Sequence, residues 1–378
     1  MHPPDRDRST GGRANEQTGG RGTHGPNFDR APLVVTWEVT QACDLACDHC
    51  RADARPERHP DELSTTEGRR LVDEVAAFGD EPGPGPVLVF SGGDPLKRPD
   101  VFELVSYATD SGVPAAVTPA PTALLDRTAI ERFAEAGARR MALSLDGATA
   151  ESHDAFRGEE GSFETIRRAA REAETVGLPL QVNTTVTAAT VEELPEIADL
   201  VASFGAVMWE VFFLVPVGRG TELEGLDPGR VDEVLAWLYR RSRDASFRVV
   251  TVEAPRYRPV ARRVEREAGS GDADSVRVGS TGDGDGFVFV SHTGDVYPSG
   301  FLPERVGNVR ESSLTTLYRE SPLLRALRDP DSRTGACGAC PHRSLCGGSR
   351  ARAYATTGDP LGSDPLCPRG AAGGVADD

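Results

Sequence analysis

The residues of this 378-residue chain best suited to chemistry are its seven cysteines, which fall into two groups. Cys43-x3-Cys47-x2-Cys50 lies early; Cys337-x2-Cys340-x5-Cys346, with Cys367 further on, lies late. Short spacings of this kind place thiolates round one soft metal centre. In an intracellular protein they are poor candidates for disulfides. Ligand number then sets the chemistry. A cubane cluster has four irons. Four cysteines close every site and leave an electron carrier, whereas three leave one iron open to an outside ligand. The first group is therefore poised and the second closed. Zinc stays open as an alternative, chiefly for the second group, where four thiolates complete a tetrahedron. In the first group zinc would need His49, which lies between two of the cysteines.

A repeating pattern positions these groups. Apolar, β-branched runs at 32–39, 86–91, 113–118, 139–145, 178–186 and 207–215 read as strands. Between them lie amphipathic stretches with start signals at Ser64 (with Glu67), Asp100 (with Glu103), Asp126, Ser162 and Thr190 (with Glu193). They stop near Gly79, Gly112, Gly137, Gly177 and Gly205. Six β–α units in a row call for an α/β fold with a parallel sheet and helices outside it. They are too few for a full eight-unit barrel, and ligands should gather at the C-terminal strand ends. The expected organisation is a polar disordered tail (1–30), a partial (β/α)6 TIM-like barrel (31–225), a helical and loop linker (226–275), a small Cys-rich α+β domain (276–368) and a second disordered tail (369–378). Within these, 228–243 reads as helix, 268–285 as a Gly/Asp-rich loop and 286–300 as a short β region.

Cys43-x3-Cys47-x2-Cys50 at the end of a first strand resembles the signature of the radical S-adenosylmethionine (SAM) superfamily. The resemblance extends over about residues 32–368. It implies a [4Fe–4S] cluster whose open iron chelates SAM, and reductive cleavage of SAM to methionine and a 5′-deoxyadenosyl radical. Ser91-Gly92-Gly93-Asp94-Pro95 is similar to the family's Gly-Gly-Glu-Pro segment, which binds the SAM amino group; Asp94 keeps the carboxylate one methylene shorter. Ser144 implies a ribose contact and Arg157 a contact to the methionyl carboxylate, with a surface salt bridge as the plainer alternative for Arg157. Asn183 is a further SAM candidate. Leu214-Val215-Pro216 looks like the adenine wall, or ordinary core. Cys337, Cys340, Cys346 and Cys367 resemble a SPASM/twitch region. Ser299 and Arg350 stand where a full SPASM domain often carries cysteines, so one auxiliary [4Fe–4S] cluster is implied and not two.

The run Cys47-Asp48-His49-Cys50-Arg51-Ala52, with Gly347-Gly348-Ser349-Arg350-Ala351-Arg352-Ala353, looks most like the tetrapyrrole-modifying branch (haem d1 and the alternative haem pathway). That resemblance implies hydrogen abstraction from a propionate and loss of CO2. A polycarboxylate substrate needs arginines; Arg219, Arg350 and Arg352 are candidates, against a reading as solvated surface residues. His59, His153 and His342 are candidate axial iron ligands, against ordinary structural roles. Two other classes stay in play: a maturase acting on a ribosomally made peptide, and a non-catalytic iron–sulfur electron carrier or regulator. A catalyst of this kind implies an electron donor such as ferredoxin or flavodoxin.

Composition excludes other classes. The net charge is −17, with Lys97 the single lysine. Such a surface does not suit nucleic acid. It fits a protein kept soluble in high salt, and a halophilic source is the expectation; a GC-rich genome also favours Arg over Lys. No apolar run approaches the roughly 20 residues of a membrane span, and the polar N-terminus has no signal-peptide core, so a cytoplasmic location is expected. No stretch reads as a dimer seam, and a monomer is expected.

Overall fold

The computed structural model describes residues 27–80, 85–269 and 281–368. The tails expected at 1–30 and 369–378 lie outside the described residues except for 27–30, as does most of the loop expected at 268–285.

All six expected strands form: β1 (Val34–Glu38), β2 (Val87–Ser91), β3 (Ala115–Val117), β4 (Arg140–Ser144), β5 (Leu180–Val186) and β6 (Met208–Phe213). They pair in sequence order and in parallel. Between them run α1 (Thr65–Ala76), α2 (Val101–Asp110), α3 (Arg127–Glu135), α4 (Ala150–Arg157) with α5 (Ser162–Val176), and α6 (Leu194–Ser203). Ser64 and Glu67 form both halves of a capping box on α1, and Asp126 caps α3. Asp100 does not cap α2; its carboxylate accepts from Thr65 and from the buried Arg98 instead. Thr190 likewise turns its hydroxyl back, donating to Thr185 O and meeting the Thr187 hydroxyl, and a short tight turn precedes α6.

Past β6 the barrel continues. Helices α7 (Pro228–Asp244) and α8 (Tyr257–Glu267) flank β7 (Arg248–Val252), which pairs parallel with β6 in the stretch read as a helical and loop linker. The expected β region forms β8 (Phe287–Val290) and β9 (Asp295–Tyr297), and β10 (Gly307–Asn308) follows. β8 pairs parallel with β1, Val34 opposite Phe287. β9 and β10 extend that edge antiparallel. The sheet order is therefore β10-β9-β8-β1-β2-β3-β4-β5-β6-β7, with eight parallel strands in an arch. Covering β1 removes an edge strand that would otherwise expose its backbone donors. Helices α9 (Leu314–Glu320), α10 (Pro322–Arg328), α11 (Gly335–Ala339) and α12 (Arg350–Thr357) complete the chain.

Alternation along the strands divides two interiors. Val35, Trp37, Leu88, Phe90, Leu143 and Val182 point outward and are buried under the helices with Leu71, Leu104, Phe133 and Ile166. The inward set includes Thr36, Ala116, Ala142 and Asn183. A closed barrel fills its interior with layers of bulky branched residues. Small inward residues on β3 and β4 leave a chamber instead.

Candidate active site

The first three cysteines sit on the loop that leaves β1. Its base is tied: Cys43 N–H donates to Arg55 O (2.6 Å), and the Gln41 side-chain amide donates to Ala52 O (2.7 Å). Arg219 crosses from beyond β6 and donates from Nε to Cys47 O (2.8 Å) and from its backbone N–H to Cys50 O (3.0 Å). Close by, Gly218 (φ +55°) leaves no room for a side chain, since a Cβ there would meet Cys50 O at 2.5 Å. The loop is thus held at its own base and clamped from beyond β6. Cys43, Cys47 and Cys50 line one cavity of 240 Å³. Burial pushes the Cys43 thiol up to about 11, so metal binding there must displace a proton.

Arg157, at the end of α4, aims into this cavity. Its Nη1 lies 3.6 Å from Cys47 Sγ, and its Nη2 lies 2.5 Å from Asp146 Oδ2. Both partners are buried, Asp146 completely. Burial alone would raise the Asp146 carboxyl; Arg157, His49 and His153 outweigh it and bring it below the usual range. Asp146 Oδ1 accepts from Thr185 N–H (2.7 Å), and Asp146 N–H donates to His153 Nδ1 (3.1 Å). The surface salt bridge considered for Arg157 is therefore a buried one. Its Nε is buried with no acceptor, a donor position that an anionic ligand would satisfy. His49 stacks on Phe156 (centroids 4.7 Å apart), and burial with the nearby Arg157 lowers it to about 4, leaving it neutral.

The other residues picked from sequence divide. Gly92, Gly93, Ser144, Asn183 and Leu214 line the cavity with the cysteines. Ser144 and Asn183 are register partners at adjacent strand ends. Asp94 is not among the lining residues. It is fully buried, and its carboxylate accepts from Leu96 N–H (3.1 Å), Thr122 Oγ1 (2.9 Å) and Ala120 N–H (3.4 Å). It ties the loop after β2 to the loop after β3. The glycine pair also serves the scaffold: a Cβ on Gly92 would meet Thr40 O at 2.3 Å, and one on Gly93 would meet Ala42 O at 2.4 Å.

The later cysteines also converge. Cys337 on α11, Cys340, Cys346 and Cys367 line one small cavity of 40 Å³. Arg350 Nη2 donates to Cys337 Sγ (3.4 Å) and Arg256 Nη1 to Cys367 Sγ (3.7 Å), so two of the four sulfurs each face a guanidinium. Among the described residues no three His, Cys, Asp or Glu groups close round a single ion. Cubane ligands each bind a different iron and stand further apart.

Arg350 and Arg352 are buried rather than solvated. Arg350 also donates to the carbonyls of Gly348, Pro360 and Gly362, and Arg352 pairs with Asp364 and donates to Glu253 O. They bracket the late cysteine loop. His153 is buried under α5 beside Phe163, and His59 packs against His292 outside the cavities. His342 lines the late cysteine cavity.

Residues 37–201 match the model of the Radical SAM superfamily. The "AdoMet-dependent heme synthase" of Methanosarcina barkeri is 38% identical over 343 residues, covering 89% of this chain and 96% of that protein. The chain belongs to the radical SAM superfamily. The AdoMet-dependent heme synthase of Nitratidesulfovibrio vulgaris is also 38% identical, over 91% of this chain and 95% of its own. The crystal structure of Streptococcus suis SuiB bound to S-adenosylmethionine matches with a TM-score of 0.68, covering 90% of this chain and 78% of that one at 16% identity. That likeness concerns the fold. As a radical SAM enzyme the chain binds a [4Fe–4S] cluster and SAM. The residues present fit that pair: three thiols on one clamped loop, glycine backbone beside them, and an orphaned Arg157 Nε–H.

Sequence reading gave Asp146 no role of its own, weighed His49 only as a zinc ligand, and missed Arg256. Asp146 had a signal, a carboxylate two residues after Ser144 at a strand end. Arg256 had none, because it meets Cys367 from more than a hundred residues away.

Proposed function

We propose that this enzyme takes a hydrogen atom from a propionate side chain of an iron-tetrapyrrole, releasing CO2 and leaving a vinyl group. One observation carries the reading. The cavity at Cys43, Cys47 and Cys50 shares lining residues with a second, larger cavity of 320 Å³ inside the barrel, and that one reaches Cys346, Gly348 and Ser349 at its far side. A substrate held there lies between the two cysteine sites. Similarity to the heme synthases over nearly the whole chain supports the same substrate class.

In this reading Cys43, Cys47 and Cys50 would hold the [4Fe–4S] cluster, which would supply the electron for reductive cleavage of SAM. Gly92, Gly93, Ser144, Asn183 and Leu214 surround SAM, and Arg157 meets its carboxylate while Asp146 fixes the guanidinium. Asp94 holds the loop that carries the glycines. Phe212, Phe213, Val215 and Phe301 exclude water from the reacting centre. The hydrogen atom passes to the adenosyl carbon, CO2 leaves, and one electron remains. Cys337, Cys340, Cys346 and Cys367 would hold an auxiliary [4Fe–4S] cluster, which would supply an acceptor for that electron. Substrate carboxylates find Arg140, Arg258, Arg333 and Arg350 on the chamber wall; Arg352 lines the late cysteine cavity instead. In this reading the catalytic barrel takes in β7 and β8 beyond residues 31–225, and the auxiliary unit is the rest of 276–368. A soluble one-electron donor and a cytoplasmic setting complete the reading; among the described residues no helix is long and apolar enough to cross a membrane.

The test uses protein reconstituted without oxygen, with SAM, a strong reductant and iron-coproporphyrin. Porphyrin mass loss of one or two CO2, rising with 5′-deoxyadenosine, is expected. Deoxyadenosine with unchanged porphyrin rejects this substrate and moves a peptide to the front.

A further inference from the structure

Six residues line both cavities: Arg51, Ser91, Thr118, Asn183, Phe212 and Phe301. Any substrate that fills the barrel and presents a carbon to the SAM side passes this ring. Arg51 is its one charged member. The side chain follows Cys50 directly, so its backbone is fixed by the same clamped loop. One face of the guanidinium lies over the Phe289 ring, 4.4 Å from the centroid. Nη1 faces the buried Glu38 at 3.2 Å. Glu38 is itself shared with His292 Nδ1 (2.7 Å) on its other oxygen. Among the described residues Nε and Nη2 of Arg51 donate to no acceptor, and the side chain is 20% exposed. A planar cation held at one edge and stacked on one face keeps its second edge for a carboxylate.

Building on the proposed function, we propose that Arg51 grips the carboxylate of the reacting side chain, at the junction of the two cavities. The adjacent methylene then turns towards the SAM side. Arg51 is a substrate-binding residue in this assignment, and the grip lapses once the carboxylate has left as CO2. Gly300 sets its position: a Cβ there would meet Arg51 Nε at 2.8 Å and Cζ at 2.9 Å.

Binding tests this without turnover. The full chain, free of SAM, is titrated with iron-coproporphyrin and with its tetramethyl ester, followed by porphyrin absorbance. Wild type is expected to prefer the acid. In Arg51→Gln the affinity for the acid falls roughly tenfold or more, the loss of a charge-assisted pair, while ester affinity is unchanged. Arg51→Lys recovers part of the preference. Gly300→Ala, which displaces the guanidinium and keeps its charge, weakens acid binding alone. Equal acid affinity in Arg51→Gln and wild type overturns the assignment and leaves the proposed substrate standing; so does an equal loss for acid and ester, which marks a structural role. A wild type that binds neither porphyrin overturns both.

Discussion

At the scale of single residues, the site is built from charges that have little contact with water. Arg157 and Asp146 are both buried, and breaking such a pair from one side leaves a bare charge that costs about 3–5 kcal/mol. Asp146→Ala is therefore expected to destabilise the fold by that order in chemical denaturation, and Arg157→Met with it. His153 makes the same region acid-labile. Burial, then Arg157, lowers its pKa to about 4, against the ordinary 6.5. Below pH 6.5 the unfolded chain takes up a proton that the folded chain refuses until about 4, so stability falls as pH drops through that window. A shift of this size corresponds to roughly 3 kcal/mol. His153→Asn places an amide oxygen where Nδ1 accepts from Asp146 N–H. It should roughly halve the pH dependence of the melting temperature between 6.5 and 4, since His49 is lowered to about 4 as well; an unchanged slope would assign the lability elsewhere.

At the scale of elements, strands and helix starts were legible wherever the determinants are local. Ser64-x2-Glu67 needs only its own turn, and it forms as read. Asp100 and Thr190 failed as caps because a neighbour outbid the helix: Arg98 and Thr65 for the first, Thr187 for the second. Asp94 shows the same limit. Its place beside two glycines pointed to a ligand, whereas Thr122 and Ala120 on the next loop, invisible to a local motif, claim the carboxylate. The two roles are separable. As a brace, Asp94→Ala strands three donors and should cost about 2 kcal/mol or more of stability, with SAM affinity falling alongside. As a SAM contact, it would lower affinity with no change in melting temperature. Calorimetric SAM titration and thermal unfolding of the same variant decide between them.

At the scale of the whole molecule, the six central strands could be read because each is an apolar run between turn signals. Joining of the late strands could not, because β8 finds β1 across about 250 residues of sequence and β7 has a single fully buried residue and is flanked by charge. The four late cysteines were legible as one group, but not the roles of Arg256 and Arg350, which donate to two of their sulfurs. Net charge also acts at this scale. With −17 distributed over the chain, self-repulsion opposes the compact state wherever screening is weak. The screening length falls from about 10 Å at 0.1 M salt to about 3 Å at 1 M. Buried pairs such as Arg157–Asp146 and Arg352–Asp364 are shielded from this change, so screening chiefly relieves the acidic surface. The melting temperature of the full chain is therefore expected to rise as potassium chloride goes from 0.1 to 2 M. Comparing a variant with several exposed Glu changed to Gln separates charge from a general salt effect. That variant should melt higher than wild type at 0.1 M and gain less from salt. A wild-type melting temperature that stays level would assign the arginine-rich, lysine-poor composition to genome bias alone.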